Sequence, residues 1–364
     1  MAINLHAIPP DPCEPEVEPV CCIDPIPGPF AFAYPLDLGI NCPRDFYFHI
    51  DGLAFQAKQD GMEFAIQARS ETSGRPIAPI TYGKVIGFGF SDGCGSWDYN
   101  PGARVGLGFY LDHDAWNIDL NWTWVHVTNY KSVHADHDSV LIPLWLLGSS
   151  DAAPGVFGTS ASAAWNVCYN VFDLSLAKPY YVSRYFILNP FFGARVADIH
   201  QHFSVHYAGS TPEFEAIHHG EKNEFYGVGA RFGVNSDWIL GKGWWLFANF
   251  SASLLAGKFE VHQNLNVPAN GTTITPSGVD GFDIHSDYFQ NTPNMEIALG
   301  LAWSKAFDCN RYRVGLRAAY EFVEWWDQLN MRKFFSGNPG YANDVVSRGN
   351  LTFNGFSLKL QLDL

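Results

Sequence analysis

The last ten residues, GFSLKLQLDL (Gly355–Leu364), alternate to the terminal atom: Phe356, Leu358, Leu360, Leu362 and Leu364 against Ser357, Lys359, Gln361 and Asp363. Successive strand side chains point to opposite faces, so this period of two reads as a β-strand with one apolar face. Chain ends ordinarily fray unless something pairs with them. An end patterned to its last residue is therefore expected to be a closing strand, held by a neighbour on each side.

Working upstream, the same rule recurs. In RYRVGLRAAYEFVEWW (311–326), Tyr312, Val314, Leu316, Ala318, Tyr320 and Phe322 share one face, and Arg313, Gly315, Arg317 and Glu321 the other. WNIDLNWTW (116–124) sets Trp116, Ile118, Leu120, Trp122 and Trp124 against Asn117, Asp119, Asn121 and Thr123. Further segments lie at about 46–57, 60–71, 81–90, 101–111, 159–176, 185–207, 224–234, 244–262 and 295–306. The pattern predicts about twelve strands, within a range of twelve to sixteen. SVLIPLWLLGSS (139–150) is expected to be a short inserted helix, an interface patch or an extra strand pair.

Loop lengths supply an independent test. Counting back from the C-terminus, 327–349 is long, 307–310 short, 265–291 long, 238–242 short, 208–222 long, 177–184 short, 129–158 long and 112–114 short. Short turns at one end and long loops at the other are the signature of a transmembrane antiparallel β-barrel, with short periplasmic turns and long extracellular loops. The fold expected is all-β, closed on itself because hydrocarbon offers no partner to an open sheet edge. Tryptophans 116, 122, 124, 244, 245, 325 and 326 are expected to gather where the strands meet the headgroups.

Composition agrees. Charged and aromatic residues each make up 16% of 364 residues, against about 25% charged in ordinary soluble domains. A soluble sandwich would carry charge on its wet face, whereas these faces carry Gly, Ser, Asn and Ala with spaced Arg. No apolar run approaches the roughly 20 residues of a membrane helix. The net charge of −15 excludes nucleic acid as a partner and suggests a mild cation preference. MAINLHAIPP is too polar for a secretory core segment, so Met1 is expected to be an addition to a mature chain.

Residues 1–45 form a separate Pro- and Cys-rich segment, placed in the periplasm by an even strand number; residues 46–364 are the barrel. Cys13, Cys21, Cys22 and Cys42 in that segment are the disulfide candidates, within the chain or to other envelope proteins. Outer-membrane lipid and lipopolysaccharide are expected partners, and a homo-oligomer is left open.

The polar face offers Arg104, Arg195, Arg231, Arg313 and Arg317 with Glu63, Asp119, Glu296 and Glu321. Opposed basic and acidic rows either set the charge preference of a pore or bridge one another and fill it. Histidines cluster at His134 and His137, at His200, His202 and His206, and at His218 and His219. These suit Zn²⁺ or Cu²⁺, yet ordinary polar rim residues are commoner, so no metal is assigned. No G-x-S-x-G nucleophile motif occurs, and the Gly-rich strands are not followed by a helix start. No enzyme activity and no cofactor are expected.

Five long strings, FHIDGLAFQAKQDGMEFAI (48–66), WDYNPGARVGLGFYLDHDAWNIDLNWTW (97–124), FDLSLAKPYYVSRYFILNPFFGARVADI (172–199), YGVGARFGVNSDWILGKGWWLFANFSASLLAGKF (226–259) and RYRVGLRAAYEFVEWWDQLNM (311–331), make the chain similar to the major outer membrane protein family of Legionella and chlamydia-related bacteria. The resemblance covers most of 45–364. It implies an abundant porin-like channel of the bacterial outer membrane, passing small hydrophilic solutes and ions, often within a disulfide-linked envelope. A surface adhesin or a crosslinked wall protein of little conductance is the alternative. The chain departs from many such barrels by ending on Leu364 rather than an aromatic residue.

Overall fold

A computed structural model describes residues 46–364 apart from 70–81, 89–98, 112–115, 137–138, 146–157, 184, 212–213, 267–281, 308–311, 339–340 and 347–348. The expected periplasmic segment 1–45, with Cys13, Cys21, Cys22 and Cys42, lies outside the described residues.

In chain order the strands are β1 (Phe46–Gln59), β2 (Ala65–Arg69), β3 (Tyr82–Ile86), β4 (Asn100–Tyr110), β5 (Asn117–His134), β6 (Ser139–Pro143), β7 (Gly158–Ala177), β8 (Tyr180–Ser183), β9 (Phe186–Thr211), β10 (Phe214–Gly241), β11 (Trp244–Asn266), β12 (Phe282–Phe307), β13 (Tyr312–Leu329), β14 (Arg332–Asn338), β15 (Tyr341–Val346) and β16 (Gly349–Asp363). Ten of them close a ring in the order β1, β4, β5, β7, β9, β10, β11, β12, β13, β16 and back to β1, every pair antiparallel. The closing seam runs from Tyr47 opposite Asp363 to Gln59 opposite Leu351. The C-terminal strand thus has β1 on one side and β13 on the other.

The class is as expected; the count is ten wall strands rather than about twelve. The described parts of 60–71 and 81–90 are β2 and β3, which pair with each other and, through β2, with β6 instead of joining the ring. Their alternation was read as lipid-facing, but Met62, Phe64, Ala65, Ala68 and Ile86 are buried in the core inside the ring. The stretch at 139–150 begins as β6, whose only register with the ring is Leu141 opposite Gly158. These strands form a cap across the mouth.

Strand length explains a second difference. A membrane crossing takes about 9–11 residues, yet β9 has 26 and β10 has 28. Every described residue of the loops expected at 208–222 and 265–291 is strand. There the alternation continues with its polarity exchanged. On β9, Phe192, Ala194 and Val196 face outward and Arg195 inward; above them Asp198, His200, His202 and His206 face outward, while Ile199, Phe203, Val205 and Tyr207 are buried inside. The exchange recurs at Phe172 and Asn170 on β7, Tyr226 and Glu224 on β10, Ala256 and Lys258 on β11, and Phe356 and Asn354 on β16. Below this ring the barrel has an apolar exterior, as lipid requires. Above it the wall is built like a water-soluble barrel, polar outside and apolar within.

At the opposite end the turns are short. Gly241, Lys242 and Gly243 all take positive φ (101°, 54° and 77°) to join β10 and β11, a conformation glycine reaches without a Cβ clash. The tryptophan belt needs two corrections: Trp325 is fully buried inside the barrel, and Trp245 faces inward, packed over by Arg317.

Candidate functional site

The site is the barrel interior, and it has two storeys. Facing the lipid-covered stretch is a network of charges. Arg195 on β9 grips Asp173 of β7 with both Nε (2.6 Å) and Nη2 (2.7 Å), and its Nη1 reaches Glu296 of β12 at 2.6 Å. Arg231 on β10 donates to the other Glu296 oxygen at 3.0 Å. Arg104 on β4 bridges Asp51 of β1 (3.1 Å) and Glu321 of β13 (2.9 Å), with Nε on Thr123. Arg313 pairs with Asp363 at 2.6 Å. Tyr47 donates to Asp119 at 2.7 Å, and His49 sits between Asp51 and Asp119.

Arg195–Asp173, Arg104–Asp51 and Arg313–Asp363 join adjacent strands, in register. The links from Arg195 to Glu296 (β9 to β12), Arg231 to Glu296 (β10 to β12) and Arg104 to Glu321 (β4 to β13) skip ring neighbours and cross the lumen. The geometry follows from register. Each charged residue sits at an inward position of its strand, often beside glycine, which leaves room for a long side chain to cross. A Cβ at Gly108 would overlap the Tyr47 ring, and one at Gly106 the His49 ring.

The upper storey is apolar. Tyr169 of β7 meets Phe353 of β16 at 4.9 Å and Trp325 of β13 at 6.1 Å; Phe225 of β10 meets Trp325 at 6.3 Å. Aromatic pairs at such centroid distances are in contact. The cap packs onto the same core from above, against β5, β7 and β9. Phe88 packs on Trp165 and Phe203, Trp145 on Phe203, and the Tyr207 hydroxyl donates to the Phe64 carbonyl at 2.5 Å. Trp145 Nε1 donates to the Glu63 carbonyl and Lys131 Nζ to that of Gly87, both at 2.8 Å.

Of the residues picked from sequence, Arg104, Arg195, Arg231, Arg313, Arg317, Asp119, Glu296 and Glu321 all face this interior. Glu63 stands apart: it belongs to the cap, beside Gly87, and not to the wall of the charged storey. The chosen set omits Asp51 and Asp173, the acids that complete the bridges. Their signal was present in the alternation, since Phe48 and Ile50 outward put Asp51 inward. It also omits the aromatic storey, of which only Trp325 was singled out, for the headgroup belt. The exposed histidines pair as His206 with His218 (centroids 4.2 Å) and His262 with His285 (6.2 Å). No group of three or more metal-ligating side chains converges among the described residues.

Outside the membrane-covered stretch, ion pairs set two charges on the wall. Hydrogen bonds to Glu260 and Asp287 raise the Lys258 ammonium above its ordinary pKa, and Lys258 in turn lowers Asp287.

Residues 43–364 match the family described as Legionella pneumophila major outer membrane protein precursor. No curated protein matches the chain significantly. Among solved structures, the outer membrane protease OmpT from Escherichia coli is similar over 90% of this chain and 98% of its own, at 11% identity and TM-score 0.36. A deletion mutant of the monoaromatic hydrocarbon channel TodX aligns over 88% and 90%, at 8% identity and TM-score 0.30. The Pseudomonas putida toluene transporter TodX covers the same shares at 8% identity and TM-score 0.25. Likeness this distant carries no argument about activity.

Proposed function

The chain belongs to the Legionella major outer membrane protein family and resides in the bacterial outer membrane, and from that premise we propose that it is a channel for small hydrophilic solutes, shut in the conformation described. The observation that carries this reading is the charged storey. Ionisable side chains at membrane depth are costly and ordinarily mark a solute path. A lumen that only had to be filled would be at least as stable with apolar side chains in place of the bridges. Passage would require the aromatic storey and the cap to part, with the gradient as the sole driving force.

A second reading is favoured by one specific observation, the contact of Tyr169 with Phe353 and Trp325 across the lumen. Barrels near eight strands are just filled by their side chains, whereas wide aqueous channels need sixteen or more. Ten strands stand close to the filled end. On this reading the protein is a wall or surface-display element of the envelope with little conductance. Planar-bilayer recording separates the two. Stable steps in the wild type, or in a variant with the aromatic storey truncated, support the channel; silence in both removes it.

A further inference from the structure

Two cations of the charged storey are left over by the bridges. Arg317 on β13 and Lys359 on β16 are directly opposite in register, both on the inward face. Among the described residues neither makes an ion pair or a side-chain hydrogen bond. Arg317 is held instead by two rings, its guanidinium carbon 5.7 Å from the Trp245 centroid and 5.4 Å from that of Phe247. Like charges directly opposite on neighbouring strands repel, and at membrane depth the repulsion is weakly screened.

Asp51 and Asp119 attract Lys359 from within electrostatic reach, yet neither closes to an ion pair with it. Asp51 is Lys359's neighbour in register on β1, but it is engaged by Arg104 and His49. Asp119 is engaged by Tyr47 and by Asn121. Asp237 lies within the electrostatic reach of Arg317 but is not its ion-pair partner. The rings orient the guanidinium while leaving its N–H edge unspent, an arrangement matched to a planar or tetrahedral oxyanion. There is room beside it: a Cβ at Gly315, one inward position away on the same strand, would meet nothing nearer than the Gln361 Cβ at 3.8 Å.

We propose that Arg317 and Lys359 form a binding subsite for a small oxyanion, a sulfate, phosphate or carboxylate, inside the half of the barrel nearest the short turns. The proposal rests on the channel reading only for its purpose, since it makes anions the solutes that pause there. It opposes the cation preference suggested by the net charge of −15, because the lumen sees its own unbridged charges first.

The test is equilibrium dialysis of radiolabelled sulfate against the full chain folded in detergent, which needs no conduction. Saturable binding at one site per chain is expected in the wild type. Arg317→Gln and Lys359→Gln should each weaken it about tenfold or more, the effect of losing one charge-assisted hydrogen bond. Arg317→Lys should keep part of it, and Lys222→Gln on the outer wall should leave it unchanged. Gel migration before and after heating verifies that each variant is folded; if one fails, the other Gln variant decides. No saturable binding in the wild type, or equal binding in the Gln variants, overturns the subsite. Binding with bilayer silence in both the wild type and the aromatic-truncated variant removes the channel reading and leaves the subsite; conductance without binding does the reverse.

Discussion

Tyr169 on β7 and Phe353 on β16 stand four strands apart in a ring of ten, and their rings meet at 4.9 Å across the lumen. The contact joins walls that share no backbone hydrogen bonds. It is the narrowest statement of why the upper barrel is a packed core and not a vestibule. Trp325, fully buried, completes it from a third strand.

Truncating this contact should open the barrel at some cost in stability. Replacing a buried aromatic ring by Ala typically costs about 3–5 kcal/mol. The double variant Tyr169→Ala/Phe353→Ala should therefore lower the temperature at which the folded band is lost on gels. In planar bilayers it should show larger or more frequent conductance steps than the wild type. Unchanged conductance in a folded double variant would mean that the aromatic storey does not obstruct the path.

The Arg195 bridge should behave as a buried ion pair. Arg195 and Asp173 are 1% and 8% exposed, so removing one partner strands the other charge. Asp173→Asn or Arg195→Met should each cost about 3–5 kcal/mol, read as a fall in the urea midpoint for the vesicle-inserted protein. The pair Arg195→Met/Asp173→Leu should cost less than the sum, since Arg231 still engages Glu296. Additive losses would show that the two side chains do not act together.

The residues that fixed the fold in the sequence were those of the lipid-covered stretch, where period two and face polarity coincide. The inward set from Arg104 to Glu321 was legible there for the same reason. What period two does not reveal is which face is inside. On β9 the sequence HQHFSVHY (200–207) alternates as cleanly as FFGARV (191–196) before it, but the faces exchange roles. The histidines therefore read as a loop rim, and Phe203 and Tyr207 gave no sign of a packed interior. The same ambiguity made β2 and β3 look like wall strands, and it placed Trp325 in the headgroup belt. Cross-lumen pairing is invisible to any local pattern, because Arg104 and Glu321 are 217 residues apart.

The exchange of faces on β11 is directly measurable. Single spin labels at Ala252 and Leu254, outward below the exchange, should collide mainly with oxygen, which concentrates in lipid. Labels at Glu260 and His262, outward above it, should collide mainly with a water-soluble nickel chelate. Oxygen-dominated collisions at both upper sites would place them in lipid and extend the membrane over the polar wall.

Above the membrane, His206 and His218 are directly opposed on β9 and β10, their ring centroids 4.2 Å apart. Partial burial, and then the nearby His218, hold His206 below the ordinary value of 6.5. Its neighbours Ser162, Ser204 and Gly220 bring no opposite charge. The sign follows from linkage. With a depressed folded pKa, the unfolded chain takes up its proton first as pH falls below 6.5. The local stabilisation is therefore complete above that value and declines through the interval down to the folded pKa. Because His206 is largely in contact with water, the effect on global stability should be small, so the titration itself is the better readout. Carbon-13 NMR of labelled histidine should give a His206 midpoint below 6.5, and His218→Gln should move it upward. A wild-type midpoint at or above 6.5 would mean that the two rings do not repel across the strand pair.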